Sequence, residues 1–317
     1  ALYDTVRGAA GNGNFYRLSS NNTNGNNSPT NELTSMIRGG FTANNNGHIY
    51  YNGKYYVSWM WKAGGSKNTF NIDDVGYASA AAAGLDGGNI NPTGCSIGTQ
   101  QGFSILKYAG NQGTGQTLNH GLGEIPDFVI CKNLGTSYNW FIWHESFGNG
   151  ADAAIYFTNA AKSTGYNTQP FGTFTTSSLA FNNNDGVNGN YNYICYAWKN
   201  VPGLQKFGSY SGNSNADGSF VELGFRPALL WLKRTDSTGN WVILDTRRNP
   251  SNPVTISAYA DSNADANYDP GQDWADILSN GFKLRATYGE VNVGSYIYCA
   301  WAEAPTVDLY GGGANAR

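Results

Sequence analysis

Apolar and polar positions along this chain form short runs bounded by Gly and Asn, the spacing of strands and turns rather than of helices. Ala228-Leu229-Leu230-Trp231-Leu232-Lys233 is a continuous apolar run, which predicts a strand buried on both faces. Asp236-Ser237-Thr238-Gly239-Asn240 reads as a turn, and Trp241 to Thr246 returns, so the two runs predict a hairpin. Asn280 to Arg285 alternates apolar and polar residues and predicts a half-exposed strand. The best helical stretch, Ala78 to Ala83, is too short to be stable alone.

The runs repeat. Tyr56-Val57-Ser58-Trp59-Met60-Trp61, Tyr193-Ile194-Cys195-Tyr196-Ala197-Trp198 and Tyr296-Ile297-Tyr298-Cys299-Ala300-Trp301 share Tyr, a β-branched residue and Trp at fixed offsets. Gly123-x-x-Pro126 and Gly224-x-x-Pro227 each open an apolar run and lie 101 positions apart, as do Trp140 and Trp241. A period of this size is that of a domain, not of a solenoid unit. The expected fold is all-β: tandem antiparallel β-sandwich modules, jelly-roll-like, of about 100 residues with little helix. Residues 102–203 and 204–305 read as two such modules, tightly joined. Leu2-Tyr3-Asp4-Thr5-Val6-Arg7 aligns with Ile243-Leu244-Asp245-Thr246-Arg247-Arg248, so residues 1–61 read as a C-terminal half module. An isolated half would leave a core face open, and a neighbouring subunit is expected to cover it. Residues 62–101, rich in Gly, Ala and Asn, read as a linker or docking arm, and 306–317 as a tail. Because the sequence does not open on Met, Ala1 is expected to follow processing or truncation.

Composition narrows the function. Charged residues are 13%, about half the usual share, and the formal net charge is −3. Without a basic stripe, a nucleic-acid partner is not expected. No apolar run approaches the roughly 20 residues of a membrane span, so membrane insertion is not expected either. The four cysteines, Cys95, Cys131, Cys195 and Cys299, form no repeated framework and no zinc spacing. Cys195 and Cys299 should point to opposite faces of equivalent strands. Free buried thiols are the main reading, and a Cys131–Cys195 bridge is the other.

No nucleophile or phosphate-loop motif is present, and an enzyme is not expected. Asp4, His144 and Asp245 occupy one repeated position and read as the places where strands leave the core, far apart in separate modules. His120 reads as a capping or surface residue. Paired carboxylates could come from Asp273, Asp276 or Glu290, but no spacing singles them out. No cofactor is expected; the candidate metal set is Asp261, Asn263 and Asp265, as calcium ligands, and Asn213-Ser214-Asn215-Ala216-Asp217-Gly218 is a similar run with Asn first. Tyr50, Tyr51, Tyr55, Tyr138, Tyr166, Tyr191 and Tyr288 stand in turn-rich stretches. As exposed rings beside Asn and Asp they could stack on sugars; alternatively they pack into seams between modules and subunits.

Phe103 to Asn111, His120-Gly121-Leu122-Gly123-x-x-Pro126-Asp127-Phe128 and Lys206 to Asn213 resemble a repeated module of tail-fibre and other virion structural proteins of tailed bacteriophages, marine and cyanobacterial ones among them. Lys233 to Asp236, Leu278 to Phe282, Trp301 to Pro305, Tyr77 to Gly84 and the ending Ala314-Asn315-Ala316-Arg317 fit the same pattern. The resemblance implies a non-enzymatic structural protein on the exterior of a virion, assembled in the host cytoplasm. It implies a homo-oligomer, with a trimer favoured, contacting other virion proteins and host surface polysaccharide. It implies no catalytic residues. The alternatives are a capsid decoration or head-fibre protein, an extracellular filament subunit completed by strand exchange, and a glycan-binding depolymerase.

Overall fold

The structure, a computed structural model, describes residues 1–8, 15–26, 32–37, 39–44, 49–264, 267–268 and 272–304. Regular structure among them is β apart from a single 3-10 turn at Glu145–Phe147. Ala78 to Gly84 forms one turn, in which Ser79 Oγ accepts from Ala82 N at 3.1 Å, and does not continue as a helix.

Two large sheets dominate. One has the spatial order Val75–Tyr77, Phe70–Ile72, Pro92–Gly98, Phe103–Ala109, Asn192–Trp198, Phe128–Asn133, Phe141–His144. The other runs Gln205–Ser211, Ser295–Ala302, Pro227–Arg234, Val242–Asp245, Ile256–Tyr259, Asn267–Tyr268. The last four strands of the first and the first four of the second follow one scheme. In each, the Trp-ending strand lies between its Tyr-bearing partner and the strand that follows the Gly-x-x-Pro turn. Pairing is antiparallel except between Phe70–Ile72 and Pro92–Gly98, which are parallel. Small sheets lie over each large one: Gln116–Asn119 with Ser178–Phe181, and Phe220–Glu222 with Gly281–Leu284 and Ala275–Leu278. Gly281–Leu284 is more enclosed than its alternation suggests, with only Lys283 half-buried.

Successive side chains of a strand point to opposite faces, so each large sheet serves two cores. Ile194, Tyr196 and Trp198 enter a central cluster, whereas Tyr193, Cys195 and Ala197 enter a flanking one with Leu118, Leu179 and Phe181. In the second sheet Ile297, Cys299 and Trp301 enter the same central cluster. Tyr298 and Ala300 enter a third cluster with Val221, Ile277 and Phe282. The arrangement is a four-layer sandwich whose middle core belongs to both large sheets. Cys195 and Cys299 do face opposite ways.

The equivalent strands also share a buried polar scaffold. Tyr108 and Tyr193 stack at 5.2 Å, and Tyr210 and Tyr296 at 5.0 Å. Tyr108 Oη donates to Val187 O at 2.6 Å, and Tyr210 Oη to Val291 O at 2.7 Å. Fully buried Asn188 accepts from Asn111 N at 2.8 Å and donates to Gly113 O at 2.8 Å. Asn292 does the same for Asn213 N at 3.0 Å and Asn215 O at 2.8 Å. The glycine before each of those loops is required by space. A Cβ on Gly110 would meet Gly189 O at 2.2 Å, and one on Gly212 would meet Asn292 C at 2.2 Å.

The N-terminal alignment also has a physical counterpart. Asp4 Oδ1 accepts from Val6 N at 3.0 Å and Arg7 N at 2.7 Å, and Asp4 Oδ2 pairs with Arg7 Nε. Asp245 Oδ1 accepts from Arg247 N at 3.0 Å and Arg248 N at 2.9 Å, and its Oδ2 pairs with Arg248 Nε at 2.5 Å. Leu2, Val6, Trp59 and Trp61 pack on the central cluster.

The linker reading of 62–101 is corrected. Phe70–Ile72, Val75–Tyr77 and Pro92–Gly98 are strands of the first large sheet, and Leu85, Ile90, Cys95 and Ile97 are buried in its flanking core. Gly94, Ser96 and Gly98 fill the intervening positions, so the strand carries too few apolar residues to show in the sequence. The tail 306–317 lies outside the described residues.

All four cysteines are free and buried. Cys131 and Cys195 are direct cross-strand neighbours with their Sγ atoms 3.3 Å apart. Burial pushes the Cys299 and Cys195 thiols well above their usual range. None of the 4 thiols should react with a disulfide reagent in the native protein, and all should after reduction and unfolding in guanidinium. Truncating either buried hub, Asn188→Ala or Asn292→Ala, strands several buried backbone groups. A stability loss of about 3 kcal/mol in urea unfolding is expected from each.

Candidate functional site

The described surface has an open hollow of about 430 Å³ beside the end of Ser178–Phe181, on the flank of the first large sheet. Its walls are Tyr138, Tyr166, Asn167 and Thr168 on one side and Asn183, Asn184 and Asp185 on the other. The sequence element beneath it is Asn182-Asn183-Asn184-Asp185-Gly186, a run that turns readily because Asn and Asp bond to nearby backbone. Asn184 Oδ1 accepts from Gly186 N at 2.9 Å, closing the turn, and its Nδ2 donates to Thr168 O at 3.0 Å. Asn182 Nδ2 donates to Gln169 O at 3.1 Å. Two side-chain amides thereby hold the facing loops at a fixed separation.

The rings are held from behind. Buried Phe141 lies 6.1 Å from Tyr138, 4.9 Å from Tyr156 and 6.3 Å from Tyr166, centroid to centroid. The Tyr156 and Tyr166 hydroxyls share a hydrogen bond of 2.5 Å, and Tyr166 N donates to Asp152 Oδ2 at 2.9 Å. Tyr138 N donates to Thr23 O at 2.8 Å, so the N-terminal segment buttresses the rim. Burial, then the bond to Tyr156, raises the Tyr166 phenol far above its ordinary pKa. Burial, then the nearby Asp185 carboxylate and Tyr191, raises that of Tyr138. Both phenols are neutral over the whole physiological range.

Tyr138, Tyr166 and Tyr191 are thus brought to one region, Tyr191 lying over Gly135 near Tyr138. The other candidates lie elsewhere. Tyr50 and Tyr51 are 49% and 55% exposed in the N-terminal segment. Tyr288 is half-buried against Trp274 in the third core, 5.4 Å away. Asn167, Asn183 and Asp185 were not singled out in the sequence, although the Asn182–Gly186 run beside an aromatic strand carries the signal.

Two of the three residues of the calcium set, Asp261 and Asn263, are among the described residues. Asp261 Oδ1 accepts from Trp241 N at 3.0 Å. Asn263 is exposed, and Asp265 lies outside the described residues. No group of three or more His, Cys, Asp or Glu among the described residues is placed to hold a metal. Asp185 is the only carboxylate lining the hollow, so its described walls lack the second acid of a glycosidase pair.

The sequence model of a family described as a domain of unknown function, DUF7483, matches residues 1–305 in one span. The chain belongs to the DUF7483 family. No curated protein and no solved structure matches it. No helix among the described residues of this DUF7483 chain is long and apolar enough to cross a membrane.

The repeated polar position is structural in this DUF7483 protein, and it also bridges the units that the sequence separates. Fully buried His144 accepts from Ser146 N through Nδ1 at 3.2 Å and meets Tyr298 O in the other large sheet through Nε2 at 3.3 Å. Asp4 Oδ2 accepts from Tyr196 Oη at 2.7 Å. Neither is confined to its own repeat, because the shared core brings the strand ends together. His120 is a buried cap: its Nδ1 accepts from Leu122 N at 3.1 Å. Lys132 and Lys233, at equivalent strand ends, are fully buried, and burial lowers both to about 8. Lys132 Nζ donates to Thr23 O at 3.1 Å and to Asn133 O at 2.7 Å, and Lys233 Nζ donates to Gly239 O.

Burial holds His144 down at about 4. An unfolded His titrates near 6.5, so between these values the unfolded chain binds the extra proton and the folded chain does not. Stability due to His144 is therefore lost as pH falls from 6.5 to 4, by about 3 kcal/mol in full. Asp127, Glu145 and Asp261, raised by burial, act in the opposite sense. The measurement is accordingly a difference: urea unfolding of wild type and His144→Gln at pH 7 and pH 4.5, with the smaller pH dependence in the variant. For the two lysines the sign gives stability that rises from about pH 8 toward 10.5, and Lys132→Met or Lys233→Met should flatten that rise.

Proposed function

We propose that this DUF7483 chain is a non-enzymatic structural component of a tailed-phage-like particle, exposed on its exterior, that offers the hollow at Tyr138 and Tyr166 to a host saccharide. The hollow carries the reading. It pairs two neutral aromatic rings fixed from behind with Asn167, Asn183 and Asp185 at its rim. Ring faces suit the C–H faces of a pyranose, and amide and carboxylate oxygens suit its hydroxyls. The particle setting rests on the resemblance of the repeated segments to virion structural modules. A homo-oligomer, a trimer first, contacting other virion proteins belongs to the same proposal.

A glycan array with the purified chain tests the reading. Binding to one or a few polysaccharides is expected, with no shortening of them. Asp185→Ala, at an exposed position, should weaken binding by at least about tenfold, and Tyr166→Ala more, at unchanged midpoint of unfolding for the first. Shortening of the bound polysaccharide would make the protein a depolymerase instead. Immunogold label on the head shell rather than on the tail of a particle would move it to the capsid.

A further inference from the structure

The three signature segments converge. Trp61 lies 6.4 Å from Trp198 and 5.2 Å from Trp301, and Trp198 lies 6.3 Å from Trp301. Val57, Trp59 and Trp61 are half-buried, as befits the positions whose equivalents Ile194, Tyr196, Trp198 and Ile297, Cys299, Trp301 line the central core. The alternation is complete: Tyr56, Ser58 and Met60, between them, are exposed. At the matching positions Tyr193, Cys195, Ala197 and Tyr296, Tyr298, Ala300 are all buried. Tyr56 is 47% exposed and Met60 60%, with Tyr55 fully exposed beside them.

The backbone differs in the same way. Asn192–Trp198 is paired on both sides, by Phe103–Ala109 and Phe128–Asn133. Ser295–Ala302 is paired on both sides, by Gln205–Ser211 and Pro227–Arg234. Residues 54–63 belong to no sheet among the described residues. Two copies of the signature therefore show which strands flank this segment, and among the described residues no strand pairs with the third.

We propose that the face of Tyr56, Ser58 and Met60 is the docking site for one further strand pair of the opening-half type, the type supplied here by residues 103–133 and 205–234. The occupant adds a strand to each edge of 56–61 and brings one further short strand over Tyr56 and Met60, as Gln116–Asn119 and Phe220–Glu222 do in the two opening halves of this chain. Trp61, locked between Trp198 and Trp301, holds the inner face of the segment in register for it. This site is on the opposite side of the segment from the central core and does not involve the saccharide hollow.

The test supplies the occupant. By the match of Leu2 with Ile243, a copy of residues 205–241 joined directly ahead of Ala1 completes the pattern. Amide hydrogen exchange at 55–61 is compared in the full chain with and without it. Slowing by at least tenfold is expected, with loss of the added segment's protease sensitivity. Met60→Asp should abolish that slowing in the extended chain while leaving the unfolding midpoint of the unextended chain unchanged. Equal exchange in the two chains would overturn the proposal. So would an unextended chain already protected at 55–61 and sedimenting as a dimer, because a second copy would then hold the face.

Discussion

The fold depends on the central aromatic core. Trp61, Trp198, Trp231, Trp241 and Trp301 meet there with Phe157 and Phe207, mostly edge to face. That geometry sets the positive edge of one ring on the negative face of another. Residues from both large sheets and from the N-terminal segment contribute. Neither sheet could bury its inner face without the other, since an apolar face on a twisted sheet must be covered. The flanking cores, by contrast, are each closed by a small sheet belonging to the same stretch of sequence.

Much of this was legible. The period-two runs gave the strands, and the signature tryptophans marked the strands that sit centrally in both sheets. The Asp4 and Asp245 alignment corresponded to one turn built twice from the same hydrogen bonds. What sequence could not show was the partner of each face. Ile194 and Tyr193 are both apolar neighbours in one strand, and nothing in their identity says that they enter different cores. Pro92–Gly98 was missed for a related reason: half of its buried positions are Gly or Ser, which are buried because a neighbour lies close. Of the tyrosines, those beside the Asn182–Gly186 run were assembled into a site, whereas Tyr288 went to a core.

The buried polar groups follow a common economy of placement. Asn188, Asn292, His120 and His144 each close a loop where a strand ends, taking the hydrogen bonds that the sheet no longer supplies. Asn188 and Asn292 recur in equivalent places, which marks them as architecture. The hollow at Tyr138 and Tyr166 stands outside that scheme. The equivalent of Asn182–Gly186 in the second sheet does not reproduce its run of Asn, and a feature found once on a duplicated frame is the better candidate for recognition.

The junction between the two halves has a mechanical consequence. Gln205 Nε2 donates to Gln101 O at 3.0 Å, Gly102 O at 3.1 Å and Lys199 O at 2.8 Å, and Asn200 Oδ1 accepts from Phe207 N at 2.8 Å. A crossing of only a few residues is thus clamped at both ends, beneath a core that spans it. Such a joint has no hinge. Motion of one sheet against the other would have to part packed rings and amide clamps together, which opposes flexing at this crossing.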